Sequence, residues 1–373
     1  MTIEHNSSNT SRSPGISRRR FLKLAAMAGL LAGCRPAQQP ESTPTQKPTA
    51  TATSPPTSTA TQPAEPTVAP TATPTIAPPA EPSKVVHTHH AGVWDSEALA
   101  SEAIRQMLDA SITELTGLND AGKAWASLFD PGERIAIKVN AFRNSIIWTH
   151  VPLVMAVTDC LQEAGVPAEQ IVIFDYYTRE LETAGFPVNP DGPGVRCYGT
   201  DSDYTGGYQI VGSDIQLSNI VIECDALINI PVLKSHMLAG ISFAMKNHYG
   251  TFSRPQSFHS GARINRGMAE LNALPPIKER TRLIVGDALE ACLKHANSFP
   301  YWQADFTGDS IFMSFDPVAH DAVGLEVFSR LKTAAGGNPS AAVNMATPWL
   351  ESGAELGLGT KDLDAIELVE VTL

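Results

Sequence analysis

Past residue 84, short apolar runs alternate with longer stretches in which apolar positions recur every three or four residues. The longer stretches predict helices at residues 95–116 and 151–164, the second ending at Gly165. The short β-branched runs predict strands at residues 134–139, 171–174, 225–231, 282–285, 311–315 and 366–371. Asp316-Pro317 is typical of a helix N-terminus. This alternation predicts an α/β fold with a largely parallel or mixed sheet and helices on both faces.

Polar residues end or follow several of these predicted strands. In open α/β sheets, ligands bind beyond the carboxyl ends of the strands. We therefore expect a binding site at that edge of the sheet. The residues that fall there are Lys138, Asn140, Asp175, Lys234, His236 and Asp287.

The first 34 residues have the features of an export signal. Residues 17–23, Ser-Arg-Arg-Arg-Phe-Leu-Lys, match a twin-arginine signal. The apolar run at residues 24–32 is too short to span a bilayer, which takes about 20 residues. Residues 31–34, Leu-Ala-Gly-Cys, resemble a bacterial lipobox, which predicts lipid attachment at Cys34. The alternatives are a plain N-terminal anchor and a chance cysteine. These features predict export through the twin-arginine translocase and a lipid anchor at the outer face of the cytoplasmic membrane or the cell surface.

Residues 35–83 differ in composition from the rest of the chain. They contain 13 prolines and 12 threonines, with almost nothing apolar to bury. Such composition predicts a disordered linker that favours extended polyproline II. The sequence thus divides into a signal peptide at 1–34, a linker at 35–83 and an α/β domain at 84–373.

The charge of the chain excludes one class of partner. Residues 1–83 carry seven Lys and Arg against four Asp and Glu, whereas residues 84–373 carry 20 against 35. A nucleic-acid partner is not expected, because phosphate binding needs a basic face.

One window of the acidic domain departs from this balance. Residues 234–269 contain five basic residues and no Asp or Glu, together with His236, His248 and His259. A positive, imidazole-rich stretch suits a small anionic ligand or a phosphate-bearing cofactor. A solvated basic surface patch is the alternative. The basic residues are Lys234, Lys246, Arg254, Arg263 and Arg266.

Several motifs occur together in an order that resembles the domain-of-unknown-function 362 family. They are Lys138-Val-Asn140, Thr149-His-Val-Pro152, Asn229-Ile-Pro-Val-Leu-Lys-Ser-His236, Lys246-Asn-His-Tyr-Gly250 and Asp316-Pro-Val-Ala-His-Asp321. Many members of that family carry a ferredoxin-like cysteine segment. Here the cysteines lack C-x-x-C spacing, so an iron–sulfur cluster is not expected.

The segment from His236 to Gly250, His-x3-Gly-x-Ser-x3-Lys-x3-Gly, is also similar to the nickel-pincer lactate racemase family. That resemblance implies a tethering role for Lys246, a catalytic role for His236 and a metal-ligand role for His259. Asn140-Ala-Phe-Arg143 has the spacing of that family's ligand-binding motif. A metal or a covalently held nucleotide-type cofactor follows as an expectation. Racemisation itself is not predicted, because the family's second proton-transfer histidine has no match here.

Two hypotheses remain open. In the first, the domain is an enzyme, cofactor- or metal-assisted, with Lys246 and His236 as catalytic residues. In the second, it is an extracytoplasmic binding lipoprotein that captures an anionic solute without catalysis, and Lys246 only clamps a carboxylate or phosphate. The predicted ligand- or cofactor-binding residues are Lys138, Asn140, Arg143, Lys234, Ser242, Asn247, His248 and Asp287.

Overall fold

A central sheet of ten strands organises the computed structural model, which describes residues 82–142, 145–294 and 300–373. The strands along the described chain are β1 Ser83–His89, β2 Trp94–Asp95, β3 Ala98–Leu99, β4 Ile135–Lys138, β5 Ile171–Phe174, β6 Arg196–Cys197, β7 Tyr204–Ile210, β8 Ser213–Ser218, β9 Ala226–Asn229, β10 Val232–His236, β11 Gly240–Ser242, β12 Thr281–Cys292, β13 Phe306–Ser314 and β14 Ile366–Thr372.

The central sheet is mixed. Its strand order is β14-β1-β13-β12-β9-β4-β5-β6, and β12, β9, β4, β5 and β6 run parallel to one another. The other part contains antiparallel pairs, because β13 opposes both β12 and β1. The second half of β12 pairs with β10, which forms a hairpin with β11. The predicted largely parallel or mixed sheet is confirmed.

Helices cover both faces of this sheet, as predicted. They are α1 Ser101–Thr116, α2 Ala121–Leu128, α3 Val151–Glu163, α4 Thr178–Thr183, α5 Asn219–Glu223, α6 Ala244–Asn247, α7 Gly261–Ala273, α8 Pro275–Lys278, α9 Pro317–Ala334 and α10 Ser340–Glu355. Successive strand residues point to opposite faces. Along β13, Ile311 and Met313 therefore join the core under α1–α3, while Phe312 joins the core under α9 and α10.

Three predicted boundaries were wrong, one of them at the strand predicted to begin at residue 311, which begins at Phe306 because it pairs with β12 from there. The predicted helix at 95–116 begins only at Ser101, because residues 94–99 form the β2–β3 hairpin. The predicted strand at 282–285 extends to Cys292, because β9 and then β10 pair with it along one side. Asp287 consequently lies within a strand and not beyond its end.

The predicted signal peptide, Cys34 and nearly all of the predicted linker lie outside the described residues, and those predictions stay open. Within the described ranges, no helix combines the length and apolarity needed to cross a membrane. Four buried cysteines are free thiols: Cys160, Cys197, Cys224 and Cys292.

Candidate functional site

Three neighbouring parallel strands deliver polar residues to one edge of the sheet. Lys138 ends β4, Asn229 ends β9, and Asp175 directly follows β5. A cavity of about 410 Å³ opens beyond this edge. Nine of the residues predicted for the site line it: Lys138, Asn140, Asp175, Lys234, His236, Ser242, Lys246, Asn247 and His259.

Lys138 is held by a carboxylate. Its Nζ lies 2.7 Å from Oδ1 of Asp175 and donates to the Val139 carbonyl at 2.6 Å. Burial lowers the pKa of Lys138, and the charge of Asp175 opposes that shift. Gly250 makes room for the pair, because a Cβ there would stand 2.4 Å from Asp175 Oδ1 and 2.8 Å from Lys138 Nζ. The pair is thus a packed ion pair at the base of the cavity.

The direct contacts of the Lys234 ammonium group are with neutral groups. Its Nζ donates to Oδ1 of Asn140 at 2.7 Å and lies 5.6 Å from the centre of the Trp302 ring. Burial lowers the pKa of Lys234 to about 7. The side chain therefore changes charge near neutral pH.

The short helix α6 carries Lys246 and Asn247 to the cavity, and a buried carboxylate holds its first turn. Asp321, at the start of α9, accepts hydrogen bonds from the backbone N–H groups of Ala244 and Met245 at 2.8 and 2.9 Å. Its Oδ1 also lies 2.9 Å from Nδ1 of His320. The Asp316–Asp321 motif therefore supports the helix that presents Lys246.

Lys246 contacts an imidazole and an aromatic ring. Its Nζ lies 3.1 Å from Nε2 of His259 and 3.6 Å from the centre of the Tyr249 ring. Nδ1 of His259 lies 2.9 Å from the Pro255 carbonyl, which can only accept a hydrogen bond. Nδ1 therefore carries the proton, and Nε2 accepts from Lys246.

The electrostatics of this pair favour neutral side chains. Burial lowers the pKa of Lys246 well below its usual value, and the charges of Lys234 and Lys138 lower it further. Burial and the neighbouring Lys246 lower the pKa of His259 to about 4. No ion pair joins Lys234 or Lys246 to a carboxylate of any described residue. An unprotonated amine beside an imidazole that accepts its hydrogen bond is a usable nucleophile.

His236 ends β10 and shapes the turn that follows it. Its Nδ1 accepts hydrogen bonds from the backbone N–H groups of Leu238 and Ala239 at 3.2 and 3.1 Å. Gly240 completes the turn at φ +79°, where a Cβ would stand 2.1 Å from the Ala342 carbonyl oxygen. The His236 ring lies 5.8 Å from the His259 ring, so the two imidazoles face the same cavity.

Asn247 joins the strand ends to one another. Its Nδ2 donates to Oδ1 of Asn229 at 2.8 Å, and its Oδ1 accepts from Nδ2 of Asn140 at 3.3 Å. His248 does not line the cavity and lies behind it, with Nε2 3.3 Å from Nδ2 of Asn229. Burial lowers the pKa of His248 to about 3, so it acts here as a neutral acceptor.

Asp287, also predicted for the site, does not line the cavity. It is fully buried, and its carboxylate lies 2.8 Å from Nδ1 of His150. The same carboxylate accepts a hydrogen bond from the backbone N–H of His150 at 2.7 Å. The strand continues past Asp287, which places this carboxylate against the start of α3. Arg143 lies outside the described residues.

The basic window of the sequence divides in the fold. Lys234 and Lys246 reach the cavity, whereas Arg263 donates to Ser213 and Arg266 pairs with Glu270. The sequence interpretation also missed ten residues that line the cavity. Five lie outside the basic window: Phe142, Tyr176, Tyr177, Glu180 and Trp302. Five lie within it: Met237, Leu238, Tyr249, Pro255 and Gln256. Tyr176 and Tyr177 follow a strand end, which was a usable signal; Trp302 stands in no motif.

The metal implied by the racemase resemblance does not fit these residues well. Among the described residues, no group of three or more His, Cys, Asp or Glu side chains could hold a metal ion. Both ring nitrogens of His259 are engaged, so a metal would have to displace Lys246 from Nε2.

Comparisons with known proteins agree with the motifs. A family model described as domain of unknown function (DUF362) matches residues 135–326, which confirms the first resemblance. No curated protein sequence matches the chain.

Several solved structures are similar to it, among them the following two. One is a structural-genomics target from Thermotoga maritima, at 11% identity and a TM-score of 0.36, covering 70% of this chain and 60% of its own. The other is the lactate racemase apoprotein from Thermoanaerobacterium thermosaccharolyticum, at 10% identity and a TM-score of 0.38, covering 65% of this chain and 57% of its own. The chain thus spans about three fifths of each structure. Neither similarity is close enough to transfer a site or an activity.

Proposed function

Since the chain belongs to the domain-of-unknown-function 362 family, whose name gives no activity, we propose a function from the cavity itself: the protein binds a small organic anion between Lys234 and Lys246. The protein presents this site outside the cytoplasm on a lipid anchor.

One observation carries the proposal. Lys234 and Lys246 are both buried at the cavity floor, and neither has a carboxylate partner among the described residues. Burying an unpaired ammonium is costly, so such a group loses its proton or binds an anion. A bound carboxylate or phosphate would supply the missing counter-charge and raise the pKa of both lysines.

Calorimetric titration of the full-length protein with acetate, benzoate, octanoate, oxalate and inorganic phosphate tests this proposal. We expect at least one of these anions to bind, and Lys246→Ala and Lys234→Ala each to weaken it by about tenfold or more, because hydrogen bonds to charged groups contribute about 1.5–3 kcal/mol. Lys123→Ala, an exposed lysine outside the cavity, is the matched control. Equal binding by all variants, or no binding by the wild type, would contradict the proposal.

The contact between Lys246 and His259 favours an enzyme over a passive binder. Given an anion that carries both a carboxylate and a ketone, Lys234 holds the carboxylate, and the amine of Lys246 in its neutral form adds to the carbonyl carbon, water leaves, and an imine forms. Before the addition, His259 Nε2 accepts a hydrogen bond from the amine and so orients it. Pyruvate with sodium cyanoborohydride provides the test, since the trapped imine appears as a mass adduct on the Lys246 peptide. Binding of pyruvate without an adduct would favour the binding lipoprotein.

Export and anchoring rest on the twin-arginine and lipobox sequences of residues 1–34. Cys34→Ser should move the protein from the membrane fraction to the soluble fraction, because the lipid-bearing thiol is gone. A variant that stays with the membrane would show that Cys34 is not the anchor.

A further inference from the structure

The cavity reverses the usual distribution of polarity. Its ionisable side chains are the buried ones: the lysines Lys138, Lys234 and Lys246 are 0%, 3% and 7% exposed, and the acids Asp175 and Glu180 are 4% and 3% exposed. Its large apolar side chains lie at the mouth, where Met237 is 55% and Leu238 41% exposed. Charged groups normally lie outside and apolar groups inside. Apolar side chains at the mouth of a cavity whose floor carries lysines suit a ligand with the same two-part character.

The exposure of the rim is fixed by the fold. Met237 and Leu238 form the turn between β10 and β11, and His236 holds that turn by accepting two backbone hydrogen bonds. Gly240, packed against the backbone of α10, fixes its other end. The two apolar side chains therefore line the mouth because the hairpin holds them there.

A second wall of the mouth is aromatic. The Phe142 ring, 37% exposed, lies 5.9 Å from the Trp302 ring in an edge-to-face arrangement. Nε1 of Trp302 donates to the Ser235 carbonyl at 2.6 Å, which fixes the indole beside β10. The same indole lies 5.6 Å from Lys234 Nζ. Trp302 thus reaches from the charged floor to the apolar rim.

From this arrangement we propose that the ligand is an amphipathic monocarboxylate. Its carboxylate lies at Lys234 and Lys246, and its alkyl or aryl body lies between Phe142 and Trp302 on one side and Met237 and Leu238 on the other. The inference rests on the proposed anion site and adds the class of ligand. A dianion with charges at both ends fits poorly, because its second charge would lie against the apolar rim and lose water without gaining a partner.

A homologous series of carboxylates measures the apolar contribution. Acetate, butyrate, hexanoate and octanoate are titrated into the full-length protein by calorimetry. Each buried methylene contributes about 0.8 kcal/mol, so the affinity should rise about fourfold per methylene until the chain outgrows the cavity. The double variant Met237→Ser/Leu238→Ser should reduce this rise to about twofold. Leu363→Ser, an exposed leucine that does not line the cavity, should retain the wild-type rise.

The outcomes separate the two proposals. Acetate binding with no dependence on chain length would overturn the amphipathic ligand and leave the anion site in place. Failure of every carboxylate to bind would overturn both. If the double variant keeps the wild-type chain-length dependence but loses binding to phosphatidylglycerol vesicles, the rim contacts the membrane and the inference is wrong.

Discussion

Basic side chains are largely buried in two regions of the structure, and the two regions differ in whether every such side chain is paired with a carboxylate. At the start of α3, His150 lies 2.8 Å from Asp287 and 3.4 Å from Glu290. Burial alone would lower the pKa of His150, but the two carboxylates outweigh it and raise the pKa to about 10. At the cavity floor, Lys246 has an imidazole and an aromatic ring as neighbours. The imidazole at the start of α3 is paired with carboxylates, whereas Lys246 at the cavity floor has no counter-charge among the described residues.

Lys138 extends this comparison to the cavity itself. It lies in the same cavity as Lys246 and is at least as deeply buried, yet Asp175 pairs with it. Burial of a cation is therefore not enough to indicate a binding residue. The absence of a described carboxylate partner distinguishes Lys234 and Lys246 from the structural cations, and three predictions test that distinction.

The largest effect is expected at the compensated lysine. Lys138→Met should lower the free energy of unfolding by about 3–5 kcal/mol, because it leaves the Asp175 carboxylate buried and unpaired. Asp175→Asn in the same chain should restore more than half of that loss, since the amide carries no charge. Urea denaturation of both variants measures the difference. A single variant within about 1 kcal/mol of wild type would show that water already compensates Asp175.

The dependence of stability on pH should have opposite signs in the two regions. His150 has a raised pKa of about 10 in the fold, so its stabilisation is complete below its unfolded value of 6.5 and is lost between pH 6.5 and 10. Lys234 has a lowered pKa of about 7 in the fold, so the unfolded chain binds its proton more tightly than the folded protein does. The stability of the fold is therefore unaffected by this group above its unfolded pKa of 10.5 and falls as the pH falls from 10.5 to 7.

Denaturation midpoints of wild type, His150→Asn and Lys234→Met between pH 7 and 10 measure these two contributions. The stability of wild type relative to His150→Asn should fall with pH, and relative to Lys234→Met it should rise. Each slope should reach at most about 1.4 kcal/mol per pH unit, the value for one proton. Two slopes of the same sign would mean that Lys234 keeps its proton and that the regions do not differ.

The sequence predicted the fold better than it predicted the site. Period-2 and period-3.6 patterns reflect local backbone geometry, so six of the 14 described strands and three of the ten described α-helices could be located from them. Strand ends and motifs also identified Lys138, Lys234 and Lys246 as candidates. Charge counted along the chain was less informative, because the fold brings Asp175 and Glu180 to the cavity and directs Arg263 and Arg266 away from it.

Asp287 illustrates the same limit. Its position after an apolar run predicted a strand end, yet β12 continues because β10 provides a new partner beyond β9. Strand pairing is a non-local interaction, and a single sequence does not specify it. Trp302 was missed for the same reason, since only tertiary packing brings it within 6.0 Å of the His236 ring.

The smallest effect on stability is expected where the effect on binding is largest. Lys246→Met should change the free energy of unfolding by no more than about 1 kcal/mol, in either direction. Methionine keeps the packing of the stem and removes the cost of burying an unpaired amine. This gain roughly offsets the lost packing of the amine on the Tyr249 ring and the lost hydrogen bond to His259, about 1 kcal/mol.

Lys138→Met is the matched control, because the substitution is the same and the two lysines line one cavity. Urea denaturation and anion titration of both variants, side by side, give the two readouts. The comparison predicts a stable variant without anion binding at position 246 and a destabilised one at position 138. If Lys246→Met costs as much stability as Lys138→Met, then Lys246 is a structural residue as well, and the missing counter-charge does not identify a ligand site.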